Sequence, residues 1–269
     1  MRGLHYLENE PISNHSPYRV GGTCAQWAVV HHRDKLIPLI GDWSEKRMRF
    51  SVMGTGTKIL FRDGGVEHAV LRLGYEFQQC SLEGDVWTLG AGLPLILARH
   101  RMALAGVLLF PELSLDSGTL GGLLASATTV QWTAMKQSIS SLEVATGSAY
   151  RWRDIQSMKS CPKVVTAIRL KSNEHLSEAP NKAVLPRYES HWFDGPGDLK
   201  QKRSMLRRCS MSGARLHGIL MPAEMPDQMV NIGQSSAKDF WELHRSALDR
   251  IRRFHGVTWS CGLKWQGRK

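Results

Sequence analysis

No stretch of this 269-residue chain stays apolar for the ~20 residues that a membrane span needs. The longest apolar run, Ala103 to Phe110, ends at Pro111. The opening Met1-Arg2-Gly3-Leu4-His5 lacks the apolar core of a secretory leader, so the expected location is cytoplasmic. Cysteine is sparse. The five residues Cys24, Cys80, Cys161, Cys209 and Cys261 are odd in number and widely spaced, which argues against a disulfide framework. There is no CxxC pair to suggest zinc or thioredoxin-like chemistry, and no metal site is expected. The chain also lacks a GxGxxG fingerprint, a loop ending in GK[ST], an internal repeat and a low-complexity tract. No helix-turn-helix, RRM or zinc-finger pattern is present, so specific nucleic-acid binding is not expected.

What is present is an ordinary globular composition, 42% hydrophobic and 22% charged, enough to build sizeable cores. The balance of charge is less ordinary, at +11. From Leu199 to Lys269 there are 14 Lys and Arg against 5 Asp and Glu, a balance of +9. Such a surface suits an anion, whether a nucleotide, a nucleic acid or an acidic headgroup, and charge alone does not choose among them.

Short apolar segments separated by glycine turns fill the first half. Phe50–Met53, Ala69–Leu73, Asp85–Leu89, Ser141–Val144 and Val164–Leu170 read as strands. Trp27–Val30 and Leu36–Ile40 are further apolar segments, and Leu93–Leu104 is a candidate helix. Lys171–Lys182 reads as a linker, and Lys200–Arg208 as a basic helix. The clearest helix covers Ala237–His255: Ser236 and Asp239 form a capping-box pattern, Phe240, Leu243, Ala247, Leu248, Ile251 and Phe254 make one apolar face, and Gly256 suits a left-handed end. The fold class expected is α+β.

Three glycine-rich segments stand out: Tyr18-Arg19-Val20-Gly21-Gly22, Gly54-Thr55-Gly56-Thr57-Lys58-Ile59-Leu60 and Gly118-Thr119-Leu120-Gly121-Gly122. Glycine lets a backbone approach a ligand closely, and successive exposed N–H groups can cradle phosphate oxygens. Read from residues alone, these are turns or phosphate loops.

Their order is more specific. A strand enters GTGTKILFRDGG, and VEHAVLRLG follows directly. This resembles the flavin-binding half of the UDP-N-acetylenolpyruvoylglucosamine reductase (MurB) family. Tyr18–Gly22 resembles that family's F-R-[IV]-G-G, Trp87–Gly92 its V-G-A-G strand end, and Gly118–Gly122 its G-[TS]-V-G-G. Met229-Val230-Asn231 with Ser236–Asp239, Ile251–Val257 and Lys264–Gly267 resemble its C-terminal motifs in the same order. The resemblance implies an FAD-binding fold of two α+β subdomains, 1–66 and 67–172, with a smaller C-terminal substrate-type domain, 183–269. It implies FAD held by Tyr18, Arg19, Gly21, Gly22, the loop Gly54 to Leu60, Gly118, Thr119, Gly121 and Gly122. It further implies a UDP-sugar or nucleotide ligand and, in an active member, NADPH as reductant of an enolpyruvyl double bond in peptidoglycan synthesis. Oligomeric state is not indicated.

The family's three catalytic groups are not plainly kept. Its serine position aligns with His191 in Ser190–Pro196, and Ser190 serves only with a one-residue slip. Its glutamate position is Gly262, fixed by Lys264-Trp265-Gln266-Gly267. Its arginine is Arg153 in one register, whereas another register places Ile155 there. Three classes stay open: a reductase using Arg153 and His191, a non-catalytic flavin or UDP-sugar binder, and a nucleic-acid-associated basic protein.

Overall fold

The structure, a computed structural model, describes residues 3–111, 113, 117–171, 177–178 and 192–268. These fall into two compact units, both discontinuous in sequence. The first takes residues 3–8 and 25–55 and the described part of 68–188; the second takes 9–24, 56–67 and 192–268.

In chain order the strands and helices run β1 (Leu4–Pro11), β2 (Thr23–Val30), α1 (Arg33–Glu45), β3 (Phe50–Val52), β4 (Ile59–Phe61), β5 (Val66–Leu73), β6 (Cys80–Glu83), β7 (Val86–Gly90), α2 (Leu95–Leu104), β8 (Val107–Leu108), α3 (Leu120–Ser126), α4 (Thr129–Ser138), β9 (Ile139–Ala145), β10 (Tyr150–Asp154), β11 (Val165–Leu170) and β12 (Ser177–Glu178). Then come β13 (Phe193–Asp194), α5 (Leu199–Arg208), β14 (Arg215–Leu216), β15 (Ile219–Leu220), β16 (Val230–Asn231), α6 (Ala237–His255), β17 (Ser260–Cys261) and β18 (Lys264–Gln266). The architecture is mixed α+β, as expected.

Two larger sheets and the short β12-β8 pair carry the strands of the first unit, the first of these sheets running on at β1, β2 and β5 into residues of the second unit. The first has the order β1-β2-β5-β3, with β3 parallel to β5. The other, β10-β9-β11-β7-β6, is antiparallel throughout. Helix α1 covers Leu36–Ile40, where the sequence showed only an apolar segment; Leu36, Leu39, Ile40 and Trp43 recur at helical spacing and are buried, although Pro38 sits inside the helix.

A half-buried ion pair ties α1 to the second sheet. Arg33 Nη2 donates to both carboxylate oxygens of Glu143, at 2.7 and 2.8 Å, and Thr166 Oγ1 donates to Glu143 Oε2 at 2.6 Å. The guanidinium lies over the Tyr150 ring, 4.3 Å from its centroid. Glu143 is 7% exposed, but the Arg33 side chain is 38% exposed, so the cost of breaking the pair falls below that of a fully buried one. Glu143→Gln is expected to lower stability by about 2 kcal/mol. Urea unfolding checks this: the midpoint drops while the slope is unchanged.

In the second unit, β4 runs parallel to β18, β13 pairs with β17, and β14-β15-β16 form a small sheet. Helix α6 has the expected bounds, with the Ser236–Asp239 capping box and Gly256 at φ +67°. The Asp63 carboxylate also accepts from the N–H groups of Ala237 (2.8 Å) and Lys238 (3.2 Å), so the helix start is fully satisfied. The core centres on Trp192 stacked on Phe240, ring centroids 5.0 Å apart, with Tyr18 edge-on to both.

His244 is sealed in this core. Its Nε2–H donates to the Trp192 carbonyl at 2.7 Å, and burial holds its pKa down to about 4. The unfolded chain takes up a proton near pH 6.5 that the folded protein refuses until about pH 4. Stability therefore falls as the pH drops through this window, by roughly 3 kcal/mol, and then levels off. His244→Gln is expected to flatten the dependence, as chemical denaturation at stepped pH will show.

No helix among the described residues is long and apolar enough to cross a membrane. The five cysteines form no disulfide.

Candidate functional site

A cleft in the first unit gathers five of the residues singled out by sequence: Gly54, Thr55, Thr119, Gly121 and Gly122. Gly54 lies two residues beyond the end of β3. A Cβ there would stand 2.4 Å from Thr119 Oγ1, so only glycine permits this approach. Thr119 caps α3, its Oγ1 accepting from Gly122 N at 3.1 Å.

The third glycine loop is laced to the segment after β7. Leu95 N donates to Gly118 O (3.0 Å), Leu120 N to Leu93 O (3.0 Å) and Gly121 N to Ala91 O (2.7 Å). A Cβ on Gly121 would press to 3.1 Å on Ala91, and Gly118 adopts φ +97°. The two motifs matched as Trp87–Gly92 and Gly118–Gly122 are therefore neighbours in space.

The structure adds two cations that sequence reasoning did not single out. Arg72 and Lys163 both line the cleft. Lys163 Nζ sits over the Phe50 ring, 3.6 Å from its centroid, and burial lowers its pKa. Arg72 was visible only as the polar residue of an apolar strand, and Lys163 only as the residue after Pro162. Cys161 lines the same cleft, and burial pushes its thiol up to about 12, so it is neutral at physiological pH.

The remaining candidates lie elsewhere. In the second unit, Tyr18 donates its hydroxyl to Thr57 O at 2.6 Å, and burial raises the phenol's pKa. Arg19 is exposed at φ +53°, Gly21 has φ +116°, and a Cβ on Gly22 would fall 2.1 Å from Asp63 O. Gly56 turns at φ +79°. Lys58 O accepts from Lys264 N at 2.8 Å, and Ile59 and Leu60 belong to β4, with Leu60 fully buried in the core.

Arg153 stands exposed on β10, the edge strand of its sheet, and does not line the cleft; Ile155 is fully buried. His191 and Ser190 lie outside the described residues. Their neighbour Trp192 is firmly held, because its carbonyl accepts from His244 Nε2 and from Gly262 N at 3.1 Å. Gly262 is exposed between β17 and β18. No group of three or more His, Cys, Asp or Glu among the described residues could hold a metal ion.

No protein-family model matches the chain. Curated relatives do. A protein of Anaeromyxobacter dehalogenans named UDP-N-acetylenolpyruvoylglucosamine reductase is 25% identical, the match covering 99% of this chain and 87% of that protein. UDP-N-acetylenolpyruvoylglucosamine reductase 2 of Symbiobacterium thermophilum is 24% identical, over 96% and 91%. Among solved structures, the MurB reductase of Thermus caldophilus superimposes with a TM-score of 0.69 at 22% identity, covering 97% of this chain and 98% of that one. CrmK, a flavoenzyme of caerulomycin biosynthesis, shares the fold more distantly, with a TM-score of 0.50 at 11% identity over 97% and 62%. The glycine motifs, their order and the fold agree: the chain is a divergent member of the UDP-N-acetylenolpyruvoylglucosamine reductase (MurB) family.

Proposed function

We propose that this protein binds FAD through the cleft of its first unit and has weakened or lost the reductase chemistry of its relatives. The carrying observation is the cradle itself. Two glycine loops pack so closely that a Cβ at position 54 would strike Thr119, and both face a cleft holding Arg72 and Lys163. The two cations suit an anionic diphosphate, and the glycines let it come close, although the N–H groups of Leu120, Gly121 and Gly122 are taken by Leu93 O, Ala91 O and Thr119 Oγ1. At ≈ 80 Å³ the cleft has room for one portion of a dinucleotide, and we assign it that portion.

In this reading, segments 1–66 and 67–172 carry the flavin and 183–269 a second ligand. FAD, when bound, would supply hydride-transfer chemistry, with NADPH as reductant if the protein is active. The chain's own contribution to such a reaction is reduced. Gly262 offers no side chain at the glutamate position, and Arg153 points from an exposed edge strand. Titrating the refolded protein with FAD tests the reading. Saturable quenching of flavin fluorescence and a retained yellow colour are expected; a protein that stays colourless with excess FAD overturns it.

For the basic C-terminal region the proposed ligand is a UDP-sugar rather than nucleic acid. Part of its charge is spent internally: Arg203 pairs with Asp227, Arg207 bonds Glu224 O and Arg250 bonds Cys209 O. The exposed remainder suits a small anion. UDP-N-acetylglucosamine is expected to bind with a shallow salt slope and duplex DNA with a steep one, measured by titration in rising salt. DNA binding that survives physiological salt would favour the nucleic-acid reading.

A further inference from the structure

A second, wider cleft opens on the first unit, between the end of α1, the start of β3 and the turn that joins β9 to β10. Its volume is ≈ 410 Å³. Three cations line it, Arg47, Arg49 and Lys163, and no lining residue is a carboxylate. No described carboxylate forms an ion pair with any of the three; the nearby Asp42 is engaged with Lys46. Thr146 and Gly147 of the β9–β10 turn line it as well. Lys163 stands in the wall shared with the glycine-loop cleft, whereas Arg47 and Arg49 belong to this cleft alone.

Three like charges around one opening repel each other unless an anion joins them. A neighbouring group registers that field. His68 on β5, whose Nε2 meets Ser51 Oγ at 3.1 Å, is disfavoured as a cation, first by burial and then by Arg49 and Lys163.

We propose that this cleft is a second anion site, which takes the phosphate or diphosphate group of a small phosphorylated metabolite on Arg47, Arg49 and Lys163. Guanidinium groups match phosphate oxygens with paired N–H donors, and Lys163 adds a point charge. The base of a nucleotide gains little here, because the Phe50 face already carries Lys163. The phosphoryl group is therefore the recognised part, and the volume leaves room for what it is attached to.

The experiment is a titration of the intact protein with inorganic phosphate, inorganic diphosphate and ADP, followed by calorimetry and by NMR of the His68 ring, assigned with His68→Gln. Diphosphate and ADP are expected to saturate this site, whether or not they also enter the glycine-loop cleft, and to raise the His68 pKa, because the bound anion offsets the charge of Arg49 and Lys163. If ADP binds no tighter than diphosphate, the phosphoryl group alone is read; tighter ADP binding shows that the attached nucleoside is held as well. Arg47→Ala and Arg49→Ala, both exposed and outside the glycine-loop cleft, are each expected to weaken binding about tenfold. Gly54→Val, in the other cleft, is expected to leave this binding and the His68 response intact. The proposal is overturned if His68 does not respond, if the arginine variants bind as the natural protein does, or if Gly54→Val removes the diphosphate binding. It is likewise overturned if only single-stranded polynucleotide binds, with a steep salt slope.

Discussion

Loaded with FAD, the protein is expected to oxidise NADPH with UDP-N-acetylglucosamine enolpyruvate at least ~10²-fold more slowly than a relative that keeps the glutamate. The reaction builds negative charge beside the substrate carboxylate, and a donor aimed at that charge is typically worth ~10²–10³ in rate, or roughly 3–4 kcal/mol. Gly262 stands where the resemblance places the glutamate and has no side chain to donate. Its N–H is fixed to the Trp192 carbonyl, next to the position where the resemblance places the acid, His191. Arg153 is exposed and outside the glycine-loop cleft. These losses need not add, because residues acting as one unit are not independent. The paired variant Gly262→Glu with His191→Ser separates the causes. A gain in NADPH oxidation shows that only side chains were missing, and an unchanged baseline shows that the active geometry has moved as well. Robust turnover by the natural protein would contradict the expectation.

Gly54→Val is expected to weaken FAD binding by at least ~10²-fold while leaving the protein folded. Its Cβ would lie 2.4 Å from Thr119 Oγ1, and the two methyl groups of valine deepen the clash. Thr119 must move, and with it the cap on Gly122 N. Loss of a cap costs only ~1 kcal/mol, small beside the core of this unit. Binding suffers more, because a displaced loop keeps the diphosphate away from Arg72 and Lys163, whose charge-assisted bonds are worth ~1.5–3 kcal/mol each. Thr119→Ala removes the struck hydroxyl, so Gly54→Ala should bind FAD better in that background than alone. Equal FAD affinity in Gly54→Val and the natural protein, with unchanged circular dichroism, would show that this cradle does not hold the cofactor.

Much of the frame was legible because the signals were local. Ser236, Asp239 and Gly256 mark both ends of α6 within one stretch of sequence, and the apolar spacing between them leaves no strand alternative. The glycine loops were legible through order: strand, loop, strand and the distant Gly118–Gly122. Helix α1 was hidden by Pro38, which interrupts an otherwise helical spacing. The grouping of residues 9–24 and 56–67 with the C-terminal segment was hidden for another reason. It rests in part on the parallel pairing of Ile59, Leu60 and Phe61 with Lys264, Trp265 and Gln266, and such a distant pairing leaves no local pattern. Arg72 and Lys163 could not be picked out as cleft cations, since one is a basic residue within an apolar strand and the other a basic residue just before one, until the sheets bring them together. Leu60 went the other way: the resemblance placed it in a phosphate loop, while its burial gives it to the core.

The claim that a flavin cradle persists where the reductive chemistry has weakened is tested most directly by one anaerobic spectrum. The refolded protein is loaded with FAD, freed of excess cofactor, reduced with a limiting amount of dithionite and mixed with UDP-N-acetylglucosamine enolpyruvate. The account predicts a blue absorbance band that stays with the protein through gel filtration, is bleached by dithionite and does not return when the enolpyruvyl compound is added. Absence of the band from the protein fraction would contradict the cradle, and its prompt return on adding the substrate would contradict the loss of chemistry.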